Sequence, residues 1–224
     1  MAQGRKKSKL ICFTGIDGAG KTALAKLIAD ELRKGEVNCC YVYGRYQPIL
    51  SKPMVALAQH LFLKDMDIRE YQKYAANKRR AINKHPSLVS LYRRILLIDY
   101  SLQLLFKLLL PKMFNRTIIC DRYVFDTVIN DIPREDNKFS GIKSLLGTCF
   151  SIAPKPDLLF VIDVPEKIAF SRKDDTPSVE YLKERRGIYL RIAKEYGAIL
   201  LDGTKSLEEL KTQIKEKVLE WIKL

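Results

Sequence analysis

The run Gly15-Ile16-Asp17-Gly18-Ala19-Gly20-Lys21-Thr22 constrains this chain more than any other stretch. It satisfies G-x-x-x-x-G-K-[ST] in full. An apolar run, Leu10 to Thr14, precedes it, and an amphipathic stripe of Leu24, Leu27, Ile28 and Leu32 follows. Strand, glycine-rich turn and helix together are the context in which this pattern folds into a phosphate cradle. The glycines let the backbone curl so that successive N–H groups point inward, and the helix starting near Lys21 adds its positive end. Lys21 can reach β- and γ-phosphates, and the Thr22 hydroxyl can ligate Mg²⁺.

Four more β-rich runs come after it: Asn38 to Tyr43, Thr117 to Cys120, Leu158 to Val164 and Ala198 to Leu201. They are almost continuously apolar, as parallel strands covered on both faces must be. Amphipathic helices separate them. Gly35 is placed to end the first. The last opens on Ser206-Leu207-Glu208-Glu209, a capping-box pattern, and continues with Leu210, Ile214, Val218 and Ile222. The alternation predicts an α/β fold: a doubly wound, five-stranded parallel sheet flanked by helices. One domain over residues 1–224 is expected, with a basic tail at 1–8, a basic helical region at 64–94 and a lid at about 172–186.

The net charge of +14 favours anionic partners, through an attraction that salt weakens. The cationic segment around Arg79 and Arg80 has no interleaved aromatics or nucleic-acid module, so small nucleotides are the expected partners rather than nucleic acid. Five cysteines, none in a C-x-x-C pair, suit a reducing cytoplasm. His60 and His85 lack metal-like spacing. Ile95 to Leu110 is strongly apolar, yet Asp99, Gln103 and Lys107 recur every four residues. That is a core helix with one polar stripe, not a membrane span.

Asp121-Arg122-Tyr123 follows the third apolar run. An aspartate at that strand end can hold Mg²⁺ or its water shell, and Arg122 can bind a transferring or acceptor phosphate in bidentate fashion. Lys21, Asp121 and Arg122 are therefore candidate catalytic residues, and Thr22 and Asp121 the candidate metal ligands.

These motifs, with Pro156-Asp157-Leu158 to Pro165 and Ile199-Leu200-Leu201-Asp202-Gly203-Thr204, resemble the thymidylate kinase family in order and spacing from Lys9 to the C-terminus. The resemblance implies ATP as phosphoryl donor at Gly15 to Thr22, Mg²⁺, and a nucleoside monophosphate as acceptor. It implies that Arg45 holds the acceptor phosphate, Asp17 approaches the acceptor sugar and Arg172 lies near the adenine. It also implies lid cations, Arg185 and Arg186, because this P-loop has no arginine of its own. A homodimer is a further expectation.

The base-reading half departs from the family. In a gapless alignment back from Asp121 to Asp99, Leu96 takes the place of a base-stacking phenylalanine and Tyr100 that of a base-reading arginine. Arg45-Tyr46-Gln47-Pro48 stands for Arg-Glu-Pro-Gly-Gly, and Asn130-Asp131 for a Tyr-Gln pair. The expected acceptor set is thus Asp17, Arg45, Leu96, Asp99, Tyr100 and Arg122. Transfer to dTMP is the leading reading. The alternatives are another nucleotide, nucleoside or phosphorylated small molecule as acceptor, or a nucleotide-binding switch or nucleic-acid-associated ATPase.

Overall fold

The computed structural model describes residues 8–53, 56, 71–134, 138–173 and 175–223. Most of the basic tail, residues 64–70 of the basic region, His60, position 174 of the lid and the Ile222 side chain lie outside the described residues.

Five strands form one parallel sheet: β1 (Leu10–Gly15), β2 (Cys39–Tyr43), β3 (Thr117–Asp121), β4 (Leu158–Asp163) and β5 (Ile199–Asp202). Their order is β2-β3-β1-β4-β5. The expected fold class is thereby met, with strand ends within a residue or two of the apolar runs. All of β1 and β3 is buried, which is why both are apolar without alternation. Each fully buried Leu, Ile or Phe contributes on the order of 1.5–3 kcal/mol of transfer free energy. Register sets Phe13 beside Asp121, so the P-loop and the end of β3 leave the sheet together.

Helix α1 (Lys21–Lys34) follows the P-loop. Gly35 closes it, as its N–H bonds Glu31 O at 3.2 Å, but the left-handed residue is Glu36, at φ 59°. Helices α2 (Tyr71–Lys84) and α3 (Pro86–Leu104) lead through a π-helical turn (Leu105–Leu109) into α4 (Leu110–Met113). Helices α5 (Val124–Asn130) and α6 (Phe139–Phe150) follow β3, and α7 (Glu166–Ser171) and α8 (Val179–Glu195) follow β4. Helix α9 (Leu207–Lys223) opens on the expected capping box: Ser206 Oγ donates to Glu209 Oε2 at 2.7 Å and accepts from Glu209 N at 3.3 Å.

The polar stripe of α3 faces inward. Asp99 and Gln103 are buried, whereas Ile98, Leu102, Leu105, Phe106 and Leu109 are exposed. No helix among the described residues is long and apolar enough to cross a membrane.

Candidate active site

Gly15 leaves β1 at φ 146° and Gly18 follows at φ 81°, in the left-handed region that side chains avoid. A Cβ on Gly18 would also collide with the Ala169 carbonyl of α7, so the loop packs against α7 with no room for a side chain. Lys21 is buried beneath the loop, where its Nζ donates to Gly15 O at 2.9 Å and Ile16 O at 2.6 Å. Burial, then the charge of Arg122, brings its ammonium down to about 8.

Asp121 ends β3. Its Oδ2 accepts from Thr22 Oγ1 at 2.6 Å and from Tyr41 OH at 2.8 Å, while its buried Oδ1 has no hydrogen-bond partner among the described residues. A buried carboxylate oxygen without a hydrogen bond is costly unless something else fills its coordination. A hydrated Mg²⁺ beside Thr22 would do so, and the pair fits that ion. The described residues hold no cluster of three or more His, Cys, Asp or Glu. Such an ion would therefore rely on nucleotide phosphates for its other ligands, as Mg²⁺ commonly does.

Arg122 adopts φ 62°, an uncommon conformation for a residue with a side chain. The turn aims its guanidinium at the P-loop: Nη2 donates to Asp17 Oδ1 at 2.8 Å, and Nη1 lies 3.8 Å from Asp126 Oδ1. Its buried Nε has no hydrogen-bond partner among the described residues. Burial alone would raise the Asp17 carboxyl, but the charges of Lys21 and Arg122 overcome it and hold it at about 2. Asp126, fully buried on α5, accepts from Thr14 Oγ1 at 2.6 Å, Tyr123 N at 3.3 Å and Tyr189 OH at 3.0 Å. It thus ties β1, the end of β3 and helix α8 together behind Arg122.

A cavity of about 460 Å³ opens between α2, the turn after α5, and α8. Arg45 lines it, held by Asp131 through Nε at 2.9 Å and Nη2 at 2.7 Å. Arg185 enters from α8, with its guanidinium 4.3 Å from the Tyr181 ring centroid and Nη1 donating to Tyr71 OH at 2.8 Å and to Glu184 Oε1 at 2.7 Å.

Three expected acceptor residues are placed elsewhere. Leu96 is wholly in the core. Tyr100 is buried, its hydroxyl donating to Gly44 O at 2.8 Å and its ring edge-on to Tyr46. Asp99 Oδ2 accepts from Ile49 N and Ser51 N, both at 3.1 Å, so it clamps the loop after β2. Gln103 helps by bonding both the N–H and the carbonyl of Gln47. The gapless alignment placed these side chains by sequence offset alone. Their helix face turns toward that loop, not toward the cavity.

Arg186 does not join Arg185. It grips Asp163 with Nε at 2.7 Å and Nη2 at 2.9 Å, and reaches Glu166 through Nη1 at 2.9 Å. Arg172, exposed at the end of α7, donates to Gly203 O at 3.1 Å. Sequence reasoning gave no role to Asp126, Tyr181, Tyr189 or Arg134, and noted Asp131 only as half of the Asn130-Asp131 pair that stands for Tyr-Gln.

Comparison with known proteins agrees with this geometry. The thymidylate kinase family profile matches residues 69–214, and the profile described as Nephrocystin 3, N-terminal, matches residues 1–126, the half that holds the P-loop. A probable thymidylate kinase of Methanocaldococcus jannaschii is 30% identical over 209 residues, covering 91% of this chain and 92% of that protein. One from Sulfurisphaera tokodaii is 29% identical, with 90% and 91% covered. The thymidylate kinase of Plasmodium falciparum is 24% identical, with 97% and 93% covered. With a parallel five-stranded sheet, a P-loop and an aspartate-arginine pair at the end of β3, this chain belongs to the thymidylate kinase family of phosphoryl-transferring enzymes.

Proposed function

We propose that the protein transfers the γ-phosphoryl group of ATP to a nucleoside monophosphate, with dTMP as the acceptor that the family name suggests. The observation that carries this reading is the Arg122–Asp17 contact, which holds a guanidinium, a group suited to bind phosphate, against the P-loop. The P-loop amides and Lys21 hold the donor phosphates. An acceptor phosphate oxygen attacks the γ-phosphorus, forming one P–O bond as the bond to the β-phosphate oxygen breaks and ADP leaves. Mg²⁺, held at Thr22 and Asp121, would neutralise charge on the β- and γ-phosphates. Arg122 and Arg45 orient the acceptor phosphate, and positioning of this kind supplies most of the rate in phosphoryl transfer.

The whole chain acts as one kinase domain in this reading, with residues 172–186 as a lid that closes over the donor and Arg172 beside the adenine. The five free thiols suit a reducing, cytoplasmic setting. The exposed Ile98, Leu102, Leu105, Phe106 and Leu109 form a continuous apolar face fit to pair with a second copy, giving a homodimer. Light scattering of the purified chain tests that: a monomeric mass at micromolar concentration would remove it. The catalytic reading is tested by ATP and dTMP with chromatographic identification of dTDP and ADP. Absence of dTDP, or full activity in a folded Lys21→Ala variant, would overturn it.

A further inference from the structure

The acceptor cavity holds more positive charge than one phosphate can neutralise. Lys78 and Arg79 enter from α2, Arg134 from the turn after α5, Arg185 from α8 and Arg45 from beyond β2. The described carboxylates beside them are already engaged, Asp131 by Arg45 and Glu184 by Arg185 and Tyr71. Lys78 has no ion pair among the described residues, and its ammonium lies 6.0 Å from the Tyr74 ring centroid. Arg134 uses Nη1 on the Val128 and Ile129 carbonyls, and neither its buried Nε nor that of Arg185 has a hydrogen-bond partner among the described residues. These cations also crowd one another. Burial, then the charge of Arg185, brings Arg134 down to about 10, and burial followed by Arg185 and Arg134 pushes Lys78 below its ordinary value.

Packing more cations together than there are carboxylates to pair with them is unfavourable, and an arriving anion relieves it. Arg45 and Arg122 suffice for the accepting phosphate. We infer that Lys78, Arg134 and Arg185 form a second anion subsite in the acceptor cavity, so that the acceptor class it suits best carries a second phosphate-like group apart from the one that is phosphorylated. This rests on the phosphoryl-transfer reading above and narrows its substrate class. Arg185 sits on the lid-side helix, so the second anion also bridges α2 to α8.

Calorimetric binding of dTMP and of thymidine 3′,5′-bisphosphate tests the subsite, with the donor site filled by Mg²⁺ and a non-hydrolysable ATP analogue. The bisphosphate should bind about tenfold or more tightly than dTMP, as one added charge-assisted contact allows. Lys78→Gln should bring that ratio toward one. Arg134→Gln should do the same, and Lys78→Gln, on a helix surface, keeps the test open if the Arg134 variant misfolds. Equal affinities in the native protein, or an unchanged ratio in Lys78→Gln, would overturn the subsite while leaving dTMP phosphorylation standing. If dTMP fails to bind but the bisphosphate binds and loses affinity in Lys78→Gln, the subsite stands and dTMP falls as acceptor. Binding of neither would overturn both.

Discussion

Arg122, at the end of β3, donates from Nη2 to Asp17 Oδ1 in the P-loop at 2.8 Å. One contact therefore joins the P-loop to the end of β3. The Arg122 backbone sits at φ 62° to make it, a cost of order 1 kcal/mol or more that the surrounding bonds must offset. Arg122 N bonds Phe13 O at 2.9 Å and Cys120 Sγ donates to Arg122 O at 3.0 Å, which fixes the turn from both sides.

Asp17→Asn should therefore change both stability and its pH dependence. The Asp17 carboxyl is held at about 2 against an ordinary value of 3.8. A carboxyl lowered on folding adds stability that is complete above its unfolded value and disappears as pH falls through the folded one. Near neutral pH the substitution should cost about 2 kcal/mol, and the gap to the native protein should close between roughly pH 4 and pH 2. Urea unfolding across that range measures it. A gap that does not vary with pH would mean that the Asp17 charge contributes nothing to folding.

Asp121→Asn keeps the size of the side chain and removes its charge. The unpartnered Oδ1 is the atom on which the Mg²⁺ assignment rests. We expect the Mg²⁺ concentration for half-maximal rate to rise about tenfold or more and kcat to fall by about 10²-fold. A Mg²⁺ titration of initial rates decides it. An unchanged Mg²⁺ requirement would leave Asp121 as a partner for Thr22 and Tyr41 only.

The fold and the P-loop were legible because both are local. The P-loop is eight consecutive residues, and each strand is a continuous apolar run. Asp121 and Arg122 stood out because they follow directly on the third of those runs. The cavity was not legible in the same way. Arg45 meets Asp131, Asp126 meets Tyr189, and Lys78 shares a cavity with Arg134 and Arg185. Each of these pairings joins distant parts of the chain, and no periodicity encodes it. The four-residue spacing of Asp99, Gln103 and Lys107 was visible, yet which way the stripe faced depended on the loop after β2. Asp99 and Gln103 hydrogen-bond that loop and are buried, and the apolar face is left outside.

Asp126 and Tyr189 should act as positioning residues for Arg122. Asp126 receives three hydrogen bonds in a fully buried setting, one of them from Tyr189 on α8. Tyr189→Phe removes two bonds, the one given to Asp126 and the one accepted from Asn130 Nδ2 at 3.3 Å, with little volume, so stability should fall by about 1–2 kcal/mol. If α8 sets Arg122 through the bond to Asp126, kcat should drop several-fold with little change in the KM for ATP. Asp126→Asn should do the same more strongly, at about tenfold or more. Rates measured alongside melting temperatures separate positioning from structure. Lower stability with unchanged kcat in both variants would make the cluster a folding element only.

Discrimination between acceptor bases should be weak. In the family pattern an arginine on α3 reads the base, but here Tyr100 fills that position and its hydroxyl is committed to Gly44 O at 2.8 Å. Leu96, in place of a stacking phenylalanine, is wholly buried. The cavity is lined by tyrosines, cations and apolar side chains such as Ile82 and Ile129, and its two polar side chains are engaged: Asn130 with Asp126 O, Tyr189 and Tyr181, and Asp131 with Arg45. Tyrosine faces stack on any base, and cations attract any phosphate ester, so neither distinguishes thymine from uracil. One methyl group in an apolar pocket is worth at most about 10–200-fold in kcat/KM, and a cavity of mixed tyrosine and cation walls should fall at the lower end. We expect kcat/KM for dTMP to exceed that for dUMP by no more than about tenfold, with UMP and CMP also turned over. Competition among dTMP, dUMP, UMP, CMP and AMP in one reaction, with each diphosphate product quantified, measures the ratios directly. Exclusive use of dTMP would show that a base-reading contact exists which neither Tyr100 nor these cavity residues provide.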